Sequence, residues 1–168
     1  MSRKKEPDWV EELGGVRPLR DRDERVWPEA AGTAPRRREP DAEPPVRFEV
    51  EERGEALSGR APGVDRRELR RLRRGEWPVE ARVDLHGLGA AEAERLLRER
   101  ALAAHEAGAR CVLAIHGRGL HSSEGAVLKA ALPGWLAKPP LGPRVLAFAS
   151  AAPRDGGPGA TYVLLRPV

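Results

Sequence analysis

Two tetrapeptides carry the residue types that do chemistry in this chain: Asp84-Leu85-His86-Gly87 and His116-Gly117-Arg118-Gly119. Together they hold one carboxylate, two imidazoles, one guanidinium and three glycines. Histidine as a residue type exchanges a proton near neutral pH. A carboxylate can orient such a ring, and two rings facing one cleft can serve as general base and general acid. Gly117 and Gly119 permit close backbone approach, which with a following helix N-terminus makes an anion site. Arg118 adds a planar cationic fork for phosphate. The set therefore predicts binding and cutting of a phosphodiester, with Asp84, His86 and His116 as catalytic candidates. On RNA the neighbouring 2′-hydroxyl is the nucleophile and no metal is required. On DNA a water must attack, and a metal such as Mg²⁺ helps. Asp84 has two readings: it orients His86, or it caps the loop through backbone amides.

The elements that must position these motifs are legible in the pattern. Arg82–Leu85 and the continuous apolar run Cys111–Ile115 read as strands, and a helix of about 90–107 separates them, with Ala93, Leu96, Leu97 and Ala101 on one face. Gly89 is its N-cap and Gly108 its stop. A β-α-β unit makes the strands parallel and delivers both motifs to one sheet edge, where open α/β sheets hold ligands. Ser122 or Ser123 caps a second helix, whose apolar side is Val127, Leu128, Ala131, Leu132 and Trp135; Pro133 is expected to bend or restart it. Arg144–Ser150 and Thr161–Arg166 read as strands three and four, joined by the Gly/Pro loop Pro153–Gly159. The order is β-α-β-α-β-β with a four-stranded mixed sheet over 81–168. Residues 65–80 precede it as a short Arg-rich helix and a linker. Asp65 caps that helix, Glu68 completes a capping-box pattern, and Leu69 and Leu72 form a narrow apolar edge. Its six arginines lack a matching acidic set nearby. That favours a grip on a phosphate backbone, with Arg73 and Arg74 included, over a merely solvated face.

Residues 1–64 alternate charge with Pro and Gly, and read as a disordered tail. Trp9, Trp27 and Phe48 are its isolated apolar points; they dock on a partner or lie along the domain. Charge is unevenly spread. Of the 30 basic and 26 acidic residues, the tail holds 13 and 15, so the rest carries the basic excess. The single cysteine, Cys111, reads as a small buried hydrophobe, and no disulfide framework can form within one chain. No apolar h-region follows the N-terminus and no run reaches membrane-span length, so the expectation is a soluble cytoplasmic protein. The candidate metal ligands Asp84, His86, His116 and His121 match no standard zinc spacing. No cofactor is expected as a requirement, Mg²⁺ being an option. His105 reads as a solvated surface residue.

From about Leu69 to Pro167 the chain resembles the Smr (small MutS-related) domain of stand-alone bacterial Smr proteins. The matching residues are Arg73-Arg74-Gly75, Val83-Asp84-Leu85-His86-Gly87, Ile115-His116-Gly117-Arg118-Gly119, Ser122, Val127-Leu128-Lys129, Trp135-Leu136, Val145-Leu146-Ala147-Phe148 and Gly156–Leu165. The resemblance implies an α/β two-layer sandwich and nucleic-acid binding. In several members it also implies endonuclease activity on branched or nicked DNA or on RNA, including messenger RNA on stalled ribosomes. Asp84 and His86 fall in the family's acidic-Leu-His-Gly motif, linked to cleavage. His116, Gly117 and Gly119 fall in its His-Gly-x-Gly motif, linked to substrate binding and activity, with Arg118 at the variable position. Gly89 departs from the usual Thr or Ser. Three functions follow for testing. The first is an endonuclease, on RNA before DNA, using Asp84, His86 and His116, with Gly117, Arg118, Gly119, Lys129, Arg73 and Arg74 binding nucleic acid. The second is a non-catalytic adaptor for nucleic acid or the ribosome. The third is a protein-interaction module recruited through the tail. No membrane partner is expected, and the oligomeric state is open.

Overall fold

The continuous apolar run Cys111–Ile115 forms strand β4, and its surroundings explain why it does not alternate. In a computed structural model that describes residues 43–119 and 123–168, both faces of this strand are covered. Cys111 and Leu113 pack toward Leu69 and Leu72, while Val112 and Ala114 pack toward Leu97, Leu128 and Leu132. Successive side chains of a strand point to opposite faces, so a doubly covered strand is apolar throughout. The helix over Arg66–Arg73 (α1) lies on the first face. The helices over Ala90–Glu106 (α2) and Ser123–Ala137 (α3) lie on the second.

The remaining strands are β1 (Glu49–Arg53), β2 (Ala56–Arg60), β3 (Ala81–Asp84), β5 (Val145–Ser150) and β6 (Ala160–Leu165). They form one mixed sheet in the order β1-β2-β5-β6-β4-β3. Only β3 and β4 are parallel, with Asp84 opposite Ile115. The expected β-α-β-α-β-β arrangement is present over 81–168, with α2 and α3 packed on one face. The sheet has six strands rather than four, because a hairpin joins it through β2, which pairs antiparallel with β5.

That hairpin corrects the expectation of disorder across 1–64. Glu49-Val-Glu-Glu-Arg53 has every residue exposed and reads as a charged linker. It is a strand because β2 buries Leu57, Ser58 and Gly59 against the sheet and then pairs β1 in register, Glu49 to Arg60 through Arg53 to Ala56. Gly54, at φ +59°, takes the first central position of the two-residue turn, as a type II′ hairpin requires. Phe48 lies along the domain. Its ring meets Phe148 edge-to-face, with centroids 5.3 Å apart, a contact worth about 0.5–1.5 kcal/mol beyond its area. Trp9 and Trp27 fall outside the described residues.

The helices follow the sequence with local corrections. Asp65 caps α1 by accepting from Arg67 N at 2.8 Å. Glu68 does not complete a capping box; its carboxylate pairs with Arg71 at 3.2 Å. Leu69 and Leu72 are buried as expected. On α2, Ala93, Leu97 and Ala101 are fully buried and Leu96 is half-buried. On α3 the buried stripe is Leu128, Leu132, Trp135 and Leu136, while Val127 is exposed. The helix continues through Pro133 without a break. His105 is half-buried, with its Nε2 enclosed and unpartnered among the described residues. Cys111 is buried, and burial pushes its thiol up to about 12, as befits a core residue. Among the described residues no helix is long and apolar enough to cross a membrane.

Candidate active site

Strand directions put four connections at one edge of the sheet: the β3–α2 turn, the loop after β4, the β5–β6 loop and the β1–β2 turn. The Asp84-Leu85-His86-Gly87 motif closes β3. Leu85 is its anchor: the side chain is fully buried, and its N–H donates to Ile115 O at 2.7 Å, one step beyond the strand. Burial alternates from Val83 to His86, so Asp84 and His86 share the outward face. A turn follows, with Leu88 N donating to Leu85 O at 3.2 Å across Gly87 at φ +74°.

Both readings of Asp84 hold at once. Its Oδ1 accepts from the backbone N–H of His86 at 3.1 Å and also meets His86 Nδ1. The hydrogen bond from the His86 ring, its largest influence, holds the Asp84 carboxyl below its ordinary value. A proton held on Nδ1 leaves the lone pair on Nε2, and the His86 side chain is 71% exposed. That is the tautomer and orientation a general base needs.

His116 has the opposite setting. It is 1% exposed, and both ring nitrogens are engaged: Nδ1 with Gly117 O at 2.9 Å and Nε2 with Thr161 Oγ1 at 3.0 Å. Nδ1–H donating to the carbonyl, with Nε2 accepting the hydroxyl proton, uses the neutral ring fully. Burial pushes its pKa down and keeps it neutral. The ring therefore sits beneath the loop rather than facing the edge. Gly159 O accepts from His116 N at 3.1 Å and from Gly117 N at 2.9 Å, tying the loop to the β5–β6 connection. Gly117 and Gly119 have φ of +85° and +70°, a left-handed backbone that the motif's glycines permit. The first turn of α3 lies directly against them: a Cβ on Gly125 would fall 2.7 Å from Gly119 N and 2.9 Å from Gly117 O.

Arg118 is half exposed, and its Nη2 pairs with Glu55 Oε2 at 3.3 Å. Lys129 Nζ donates to the Glu55 backbone carbonyl. Burial, the largest influence, pushes the Lys129 ammonium down from its ordinary value. Arg118 belongs to the loop, and Lys129, on α3, reaches the same residue, Glu55. Arg73 and Arg74 belong elsewhere, at the end of α1. Arg73 Nη2 donates to Glu51 Oε2 at 2.8 Å and to Ser58, tying α1 to the hairpin. Arg74 pairs with Glu76 at 3.5 Å. Arg71 pairs with Glu68 and Glu76 and stacks on Trp77, whose other near cation is Arg110. Glu68 lies within α1 and Glu76 just beyond it, while Glu51, the partner of Arg73, comes from a segment read as tail. Among the described residues no group of three or more His, Cys, Asp or Glu side chains is placed to hold a metal. His121 falls outside them.

The family model of the Smr domain matches residues 83–166. The chain belongs to the Smr domain family. Among its relatives is a protein of Yersinia enterocolitica named ribosome rescue factor SmrB, 38% identical over 104 residues, which span 62% of this chain and 54% of the relative. The SmrB of Escherichia coli O157:H7 is also 38% identical over 104 residues, 62% of this chain and 52% of its own. This Smr chain thus spans about half the length of the curated relatives it matches. Among solved structures it is similar to YdaL, a stand-alone small MutS-related protein from Escherichia coli, at 31% identity and a TM-score of 0.57, covering 66% of this chain and 83% of that one. Sequence reasoning assigned no role to four residues that shape this Smr site: Thr161, Gly159, Gly125 and Glu55. Each acts across the fold, and only the place of Gly159 and Thr161 in the matching C-terminal run hinted at it.

Proposed function

We infer that this Smr protein is an endonuclease that cuts phosphodiester bonds in nucleic acid, RNA before branched or nicked DNA. The observation that carries the reading is the exposed Asp84–His86 pair, in which the carboxylate holds Nδ1 and leaves Nε2 turned outward. On RNA, Nε2 takes the proton of the 2′-hydroxyl, and the 2′-oxygen bonds to phosphorus. The bond from phosphorus to the 5′-oxygen breaks, and the leaving oxygen takes a proton from water. The products are a 2′,3′-cyclic phosphate and a 5′-hydroxyl end. Arg118 and Lys129 supply positive charge near the loop. His116 acts as a positioning residue beneath that loop, through Gly117 and Thr161. DNA lacks the 2′-hydroxyl, so a water must attack, and Mg²⁺ assists that route.

The names of the SmrB relatives favour RNA on a ribosome as the target, and we take the cytoplasm as its compartment on that reading. A second reading, a non-catalytic adaptor on the same target, draws on the burial of His116, which leaves His86 as the one exposed motif imidazole among the described residues.

The test is cleavage of labelled structured RNA and branched DNA by wild type and by Asp84→Ala/His86→Ala, each with Mg²⁺ and with EDTA. RNA cut by wild type alone, in EDTA as well as Mg²⁺, with cyclic-phosphate ends, is the expected result. Equal cutting by the double variant removes the site assignment. Salt-sensitive binding without cutting, on free or ribosome-bound RNA, leaves the adaptor.

A further inference from the structure

The β1–β2 turn, outside the residues matched by the family model, reaches the candidate site and places an acid on its cations. A groove of about 280 Å³ runs between Gly54–Ala56 of that turn, Arg118 of the loop after β4, and Ala126, Lys129 and Ala130 of α3. Glu52 lines it as well, so two carboxylates, Glu52 and Glu55, face the two cations. Arg118 and Lys129 converge on one residue, Glu55, which meets the first through its carboxylate and the second only through its backbone carbonyl. The Arg118 contact is a single, long bond between side chains that are 50% and 68% exposed. Such exposed pairs are weak. A phosphodiester offers the same two cations two charged oxygens together, and charge-assisted bonds of that kind are stronger. The floor beside the cations is Leu57, Ala126 and Ala130, apolar and low, which admits a sugar and base alongside the phosphate. The volume suits one nucleotide unit rather than a duplex.

We propose that this groove is a flanking-nucleotide subsite, in which an RNA backbone phosphate displaces Glu55 from Arg118 and Lys129. It deepens the nuclease reading and rests on it. Strand β3, which carries Asp84, stands four strand spacings from β2 in the sheet order, or about 19 Å. The groove spans the sheet edge from the β1–β2 turn to Arg118, which follows β4, the neighbour of β3, so only its Gly54–Ala56 end lies away from the bond being cut. Glu55 keeps the cations paired while the groove is empty, and sets how tightly the flanking phosphate must bind to enter it.

The test is binding of the full chain to fluorescent single-stranded oligouridylates of increasing length, read across a salt series. Glu55→Gln is expected to tighten binding about threefold or more, since the internal competitor loses its charge. The gain should appear only for oligomers long enough to reach from the Asp84 turn to the groove. Arg118→Ala and Lys129→Ala should each lower the salt slope by about 1, and Arg118→Ala/Lys129→Ala should abolish the gain from Glu55→Gln. If Glu55→Gln leaves affinity unchanged, or tightens binding equally with both cations removed, the subsite is overturned. Cleavage at the Asp84–His86 turn would then still stand on its own assay. Wild type that binds no oligomer overturns the subsite, and cleavage of structured RNA then decides whether the nuclease reading fails with it.

Discussion

His86 and His116 each precede a glycine at the end of neighbouring parallel strands, and they are opposites. His86 is exposed, with Nδ1 held by a carboxylate two residues away and Nε2 unbonded among the described residues. His116 is buried, with both nitrogens spent on a backbone carbonyl and on a threonine 45 residues along the chain. The same dipeptide thus has two settings: one ring is exposed at the edge and the other is buried against the loop. Sequence symmetry between motifs does not carry over to symmetry of role, because burial decides whether a ring nitrogen is free.

The widest separation should come from truncating each ring. His86→Ala is expected to cut cleavage by about 10²-fold or more, while leaving unfolding free energy within about 0.5 kcal/mol of wild type. His116→Ala should destabilise by about 2–4 kcal/mol in urea unfolding, since it opens a cavity and strands the Thr161 hydroxyl. Comparable stability losses in the two variants would erase the contrast. A smaller effect is expected at the loop itself. Gly125→Ala forces a methyl within 3 Å of the Gly117–Gly119 backbone, so RNA affinity should fall by about tenfold with the Asp84–His86 turn intact. Unchanged affinity would mean that the loop's position does not matter to binding.

The smallest effect is one of pH. Burial lowers the folded-state pKa of His116, so the unfolded chain binds the extra proton first. Its contribution to stability is fully present above the unfolded value near 6.5 and declines as pH falls through that value toward the lower folded one. Thermal melts from pH 7.5 to 5.5 should show this decline in wild type and a flatter profile in His116→Gln.

Much of the fold was open to reading because its signals are local. The Cys111–Ile115 run, the 3.6-residue spacing of α2 and the stops at Gly75 and Gly108 gave strands and helices within a residue or two of those observed. The hairpin was not, because β1 has no apolar face of its own and exists only by pairing with β2. The Arg73–Glu51 contact was hidden for the same reason, since Glu51 lies 22 residues upstream in that hairpin. Val127 on α3 fits an apolar pattern and is exposed, since the stripe that meets the sheet is set by Leu128, Leu132 and Leu136.

The sequence by itself determined the two motifs and the parallel β3-α2-β4 unit that brings them to one edge, and it left open whether Asp84 meets the His86 ring or caps the loop. Those depend on residues close in the chain and on strand alternation. Tertiary structure alone decided that His116 is buried with both ring nitrogens engaged, and that Glu55 faces Arg118 and Lys129. It also decided that Gly125 closes on the loop. Those contacts join segments from 6 to 74 residues apart, and local propensity says nothing about which distant side chain will enclose a group and remove it from water.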